Sequence, residues 1–233
     1  MNAPWQPSPC NAQEKAYQFI KEAILNFQLT PAQRLIASDL ATSLEISRTP
    51  VREALGRLEQ EGLVVRAGGW GYLVKAIGID DVLDLFKVRE ALEVEAVAEA
   101  VIHVDRPTTD EFAKILATAR SNRGNPGKFV ALNRAFHNGI AAAARNELLR
   151  SMLSIISDRV QMIGAMTVHQ VPDRMNEILE ENHQILGAIR KKKPAAAKLA
   201  VRQHVRRGRE CAIQMLERGD KRFVFAAAGR NSR

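Results

Sequence analysis

Apolar residues recur at helical spacing along most of this chain, and the pattern breaks only once. Over residues 13–27, Ala16, Phe19, Ile20, Ala23, Ile24 and Phe27 fall every three or four positions, with Pro31 just beyond, which predicts an amphipathic helix facing a core. A shorter helix is predicted over 37–44, with Leu40, Ala41 and Leu44 inward. Ser47 then stands where a helix N-cap belongs. The third helix, over 47–59, turns Val51, Ala54, Leu55 and Leu58 inward, tolerates Pro50 in its first turn and meets Gly62 at its end. The break follows: Leu63 to Arg66 and Tyr72 to Val74 flank a glycine-rich turn and predict a small β-hairpin.

From residue 80 onward the helical period returns. Helices are predicted at 80–104, 107–122, 126–143, 146–168, 172–191 and 194–218. Pro107 and Pro194 lie at helix starts, Gly124 to Gly127 form a breaker, and Pro172 with Asp173 opens a helix. No repeat of about 20–50 residues recurs, so a solenoid is not expected. The predicted chain is mainly α. A flexible arm (1–11) leads to a winged helix-turn-helix (12–75), and a linker (76–79) connects it to an antiparallel all-helical bundle of about six helices (80–218), followed by a basic tail (219–233).

Inward placement of Val51, Ala54, Leu55 and Leu58 leaves Arg48, Thr49, Arg52 and Glu53 on the exposed side of the third helix. A helix in the major groove touches bases mainly through its N-terminal residues. An arginine fork there can pair with guanine, and Thr49 can meet a phosphate or a thymine methyl. Overall basicity does not support that reading. The net charge is +8, but residues 191–233 hold 13 Lys and Arg against 3 Asp and Glu, so the excess lies at the C-terminal end. The case for nucleic acid therefore rests on placed residues. Exposed arginines on a helix are also simply solvated, and periodicity alone leaves both readings open.

The bundle carries a second candidate site. Asn133 and His137, one turn apart, lie along the stripe of Phe129, Leu132, Phe136 and Ile140. His183 sits between Leu179 and Leu186, and His204 between Val201 and Gly208, so all three histidines are expected to face inward. A core histidine is ordinarily just a hydrogen-bonded one. Three on three helices, with an oxygen donor beside one of them, also suit a divalent metal such as zinc, nickel or manganese. Spacing alone leaves the core and metal readings both standing.

The string SRTPVREAL at 47–55, RLEQEGLV at 57–64 and the glycine-rich wing at 68–71 resemble the DNA-binding domain of GntR-family transcription regulators, over about residues 12–75. The resemblance implies base and phosphate contacts by Arg48 and Arg52, and minor-groove or backbone approach of the wing near Gly69. Ser38 stands where some members carry a DNA-contacting arginine. The second half, through VREALEVEAVAEA (88–100), NRAFHNGIAAAARNELL (133–149), ENHQILGAI (181–189) and VRQHV (201–205), resembles the FCD effector-binding domain of the FadR subfamily, with the helix count of its VanR-like branch. There the resemblance implies a divalent metal at Asn133, His137, His183 and His204. Asn133 replaces the commoner aspartate, so one negative charge is missing. A small carboxylate effector would be met by Arg89, which could instead form a structural ion pair with a neighbouring glutamate, and, as a poorer candidate, by Arg159.

The expectation is a cytoplasmic regulator, by default a repressor although activation is possible. As a homodimer it would present two winged helices to a pseudo-palindromic double-stranded operator and respond to a small organic acid. No stretch reaches the roughly 18 apolar residues of a membrane helix, and Cys10 and Cys211 read as free thiols. Two alternatives stand beside it. An open zinc site would suit a metal-dependent enzyme, and Glu180 precedes His183 at the spacing of di-iron bundles, but the second copy of that motif is missing. A purely structural dimerisation role for the bundle leaves the third helix and wing unexplained.

Overall fold

A computed structural model describes residues 9–68, 71–171 and 173–218, and the side chains of these from residue 12 onward. The elements run α1 (Pro9–Leu25), β1 (Arg34–Leu35), α2 (Ala37–Leu44), α3 (Arg48–Gln60), β2 (Val64–Arg66), β3 (Tyr72–Val74), α4 (Ile79–His103), α5 (Arg106–Ser121), α6 (Pro126–Ala143), α7 (Glu147–Gln170), α8 (Arg174–Arg190) and α9 (Pro194–Glu217). They form two compact units that divide after Ile77.

In the first unit α1 packs on α3, and Ile20, Ile24, Leu55, Leu58 and Leu63 are fully buried between the elements. Phe19, expected inward, is instead half exposed, and Tyr17 is buried in its place. The substitution is physical: the Tyr17 ring carries the Arg57 guanidinium 3.6 Å above it, and its hydroxyl donates to Glu61 at 2.7 Å, where Lys21 also pairs. The sheet is a three-stranded antiparallel one, ordered β1-β3-β2, so the predicted hairpin gains an extra strand of only two residues. Gly71 is required there. Its φ is +92°, and a Cβ would lie 2.9 Å from the Leu35 carbonyl oxygen.

The second unit is a bundle of six helices in which α4 and α9 form the most extensive pairing. Asp105, Asn125 and Asn146 cap α5, α6 and α7 by accepting from the backbone N–H groups of Thr108, Lys128 and Leu149. Asp173 opens α8 in a left-handed conformation, φ 60°, without a side-chain cap, and Pro172 lies outside the described residues. Phe129 and Phe136 on α6 are fully buried, and Gly208 on α9 lets Phe86 of α4 approach. Cys211 is a buried free thiol on the inner face of α9, and burial pushes its pKa up.

Two helical glycines make a test of packing. A Cβ on Gly139 would fall 2.7 Å from Cε1 of Phe112, whose buried ring is held edge-on by Phe136, whereas a Cβ on Gly187 meets nothing within 4 Å. Helix propensity favours alanine at both by up to about 1 kcal/mol, and overpacking opposes it at Gly139 by about 1–3 kcal/mol. Gly139→Ala is expected to lower the urea midpoint and Gly187→Ala to raise it. Equal shifts would show that the Phe112 contact does not constrain the bundle.

Candidate DNA-reading face and effector cavity

The N-terminal half of α3 presents Arg48, Thr49, Arg52 and Glu53 to solvent, while Val51, Ala54 and Leu55 are buried behind them. Ser47 has N-cap backbone geometry but makes no side-chain cap bond. The tight approach from α2 is made by Glu45, a left-handed residue at φ 56°. Among the described residues no carboxylate pairs with Arg48 or Arg52, whereas Arg57, farther along the helix, is taken by Glu14 and Glu61. The helix is thus anchored through its C-terminal half and offers two uncommitted guanidinium groups at the other. Ser38 is half-buried, and its hydroxyl donates to Asp39. Gly69 lies outside the described residues.

The bundle holds a cavity of about 80 Å³, walled by apolar side chains such as Phe129, Val130, Leu153, Ile163 and Val168 and by a polar end that includes Arg89, Glu93, His137 and His204. On the α4 side the polar end is one continuous chain of contacts. Arg89 donates from Nε to Glu93 Oε1 at 2.5 Å, and the other Glu93 oxygen lies 3.0 Å from Nδ1 of His137 on α6. An Nη of Arg89 reaches Nε2 of His204 on α9 at 3.3 Å; His204 Nδ1 lies 2.7 Å from Glu181 on α8, and Arg174 clamps that carboxylate at 2.7 and 3.0 Å. Arginine can only donate, so His204 Nε2 accepts and Nδ1–H donates to Glu181, which sets a single neutral tautomer. The imidazole rings of His137 and His204 stack with centroids 4.8 Å apart.

Two expectations about this site are corrected. His183 was placed inward, but it is exposed, with Nδ1 against the Leu179 carbonyl. The inner stripe of α8 runs through Ile178, Asn182, Ile185 and Ile189, so the adjacent residue, Asn182, is the buried one. Its Nδ2 donates to Asn133 Oδ1 at 2.7 Å. Arg159 is likewise exposed and does not line the cavity. Arg89, in contrast, is buried at the cavity wall. Glu93, Glu181 and Arg174 are not candidates from the sequence, although Glu93 lies one turn from Arg89, which is.

A divalent metal does not fit this donor set. His183 points away, Asn133 offers a neutral oxygen already engaged by Asn182, and His204 has both ring nitrogens committed. Of the three imidazoles only His137 has a buried nitrogen without a partner, Nε2, beside the neutral and likewise unpartnered Asn182 Oδ1, and no group of three or more His, Cys, Asp and Glu side chains converges as metal ligands among the described residues.

The electrostatics make the cluster sensitive to acid. Burial, with the Arg89 charge beside it, holds the His204 pKa down to about 4 against the opposing pull of Glu181. Burial alone would raise Glu93 and Glu181, but Arg89 and His137 for the former, and His204 and Arg174 for the latter, hold both carboxyls below the usual range. An unfolded imidazole takes its proton near 6.5, so between about 6.5 and 4 the unfolded chain binds more protons and stability falls as pH falls; the two carboxylates extend the loss below about 4.5. His204 should contribute about 2 kcal/mol to the difference in unfolding free energy between pH ~7.5 and pH ~5. Urea titrations of the wild type and His204→Gln at both pH values measure it; an equally steep dependence in the variant would remove His204 as a source.

Comparison with known proteins joins the two sites. Residues 12–74 match the model of the bacterial regulatory proteins of the gntR family, and residues 84–207, more than half of the chain, match the FCD domain. An uncharacterized HTH-type transcriptional regulator of Bacillus subtilis, YdhC, is 27% identical over 206 residues, covering 87% of this chain and 92% of its own. The Nta operon transcriptional regulator of Aminobacter aminovorans is 30% identical over 141 residues, 59% of this chain and 66% of its own. The solved structure of Escherichia coli McbR/YncC shares the fold, with a TM-score of 0.77 at 22% identity over 88% of this chain and 98% of the other. These families are regulators and not enzymes. With an arginine-bearing α3 ahead of a six-helix bundle, the chain belongs to the GntR family of DNA-binding transcriptional regulators, in the group that carries an FCD domain.

Proposed function

We propose that this regulator binds a pseudo-palindromic operator as a homodimer and that a small organic acid in the bundle cavity controls its affinity for that operator, by default relieving repression. The observation that carries the effector half is a largely apolar cavity with a buried arginine at its polar end, where His137 Nε2 is still without a partner. Arg89 spends Nε on Glu93 and one Nη on His204, so its remaining N–H groups can meet a carboxylate, while the apolar walls suit the rest of a small acid. The metal that the resemblance implied is not part of this proposal.

On the DNA side, Arg48 and Arg52 are the residues proposed to reach base edges or phosphates, with Thr49 beside them and Gly69 in the wing. Exposure on one face and freedom from carboxylate partners support this. One short helix reads too few base pairs for useful discrimination, which favours a dimer on two half-sites. The acid can change affinity only by as much as it prefers one arrangement of the protein, an effect of about 5–150-fold in most such couplings.

The test uses a duplex selected by the purified protein from a random-sequence pool, at fixed salt. Arg52→Ala is expected to weaken binding by about 1–3 kcal/mol and to relax preference at one base position in each half-site. Unchanged affinity together with unchanged base preference would discard that contact. A panel of small carboxylates added to the same assay should contain at least one that shifts wild-type affinity, and uniform inactivity across the panel would count against acid control.

A further inference from the structure

We infer that this FCD bundle works without a metal ion: the positive charge at the polar end of its cavity is the Arg89 guanidinium, and the Asn133–Asn182 amide pair stands in place of charged or imidazole ligands. The inference rests on the proposal that the cavity is the effector site, and it sharpens what that site would offer an acid.

Four observations converge on it. The first is the amide pair. Asn182 is 1% exposed and its Nδ2 bonds Asn133 Oδ1 at 2.7 Å, so the inward positions of α6 and α8 are tied to each other by a neutral hydrogen bond instead of being held open for a cation. An amide oxygen is a weak ligand beside a carboxylate, and it brings no negative charge to offset a dication. The second is His204. Its Nε2 lone pair accepts from Arg89 and its Nδ1–H is fixed by Glu181, so metal binding would require displacing the arginine from a buried site.

The third is charge balance. Glu93 and Arg89 pair, as do Glu181 and Arg174, and both arginines are buried. Each buried charge therefore already has its opposite. A dication beside Arg89 would add uncompensated positive charge in a poorly solvated place, which costs more than neutral donors return. The fourth is the direction of the third imidazole. His183 is exposed and bonded to the Leu179 carbonyl, on the far side of the stripe that carries Asn182. What remains is His137 Nε2, with Nδ1–H held by the ionised Glu93, and the neutral Asn182 Oδ1. One imidazole nitrogen and one amide oxygen do not make a metal site; the nitrogen does leave a polar point for a ligand atom.

The experiment measures metal and needs neither the operator nor the effector. Full-length protein purified without chelator is assayed for bound metal by elemental analysis, and its thermal unfolding is followed with excess Zn²⁺, Ni²⁺ or Mn²⁺ and with EDTA. The same is done for Asn133→Asp/Asn182→His, which supplies a carboxylate and an imidazole at the two amide positions. The wild type is expected to carry far less than one metal per chain and to melt alike with every ion and with chelator. The double variant should gain a metal-dependent rise of about 5–10 °C at a hundredfold excess over its Kd.

Stoichiometric metal in the wild type, lost in His137→Ala, would overturn the inference while leaving acid-controlled operator binding intact. A double variant that folds but gains no metal response would overturn the assignment of the difference to the two asparagines. Failure of every carboxylate in the operator assay, with or without Zn²⁺, would instead strike the effector proposal and leave the metal result as it stands.

Discussion

The second unit depends on keeping buried charges paired. Arg89 and Arg174 lie almost out of reach of solvent, and removing either would strand a carboxylate, Glu93 or Glu181, in surroundings that penalise a lone charge by about 3–5 kcal/mol. The two pairs sit on α4 and α8, and His204 of α9 bridges them by accepting from Arg89 and donating to Glu181. Through His137 the chain also reaches α6. Apolar packing holds these helices together without specifying their rotation. The polar chain does, since its partners lie on four different helices and a helix turned by one residue would leave several groups unpaired.

That constraint explains why the sequence yielded the elements more readily than the site. The apolar period of α3, with Pro50 and Gly62 at its ends, gives the helix and its exposed face directly, because which residues point outward follows from the local stripe. Strand β1 has two residues, too few for any alternation to show, and it exists only because β3 has a free edge beside it. Phe19 is as apolar as its neighbours, but the inner edge of α1 belongs to Tyr17, whose hydroxyl needs Glu61 and is chosen by a partner 44 residues away.

The histidines divide on the same principle. His137 and His204 lie near the centre of their helical stripes and face in. His183 lies between Leu179 and Leu186, which are themselves buried, yet the stripe through Ile178, Ile185 and Ile189 is centred on Asn182. The sequence carries both stripes, and they differ only by a rotation of one residue about the helix axis. Glu93, Glu181 and Arg174 were not legible in that way: charged residues are read as solvated by default, and only tertiary packing decides which of them are buried as pairs.

The position of Cys211 turns this architecture into something that can be timed. The thiol is fully buried on α9, beside the face that also carries His204, and its raised pKa leaves little reactive thiolate while the bundle is closed. A thiol-specific reagent can modify it only when that part of α9 opens, so its labelling rate, divided by that of the same reagent on an unfolded thiol, is a local clock for exposure of the inner helix face.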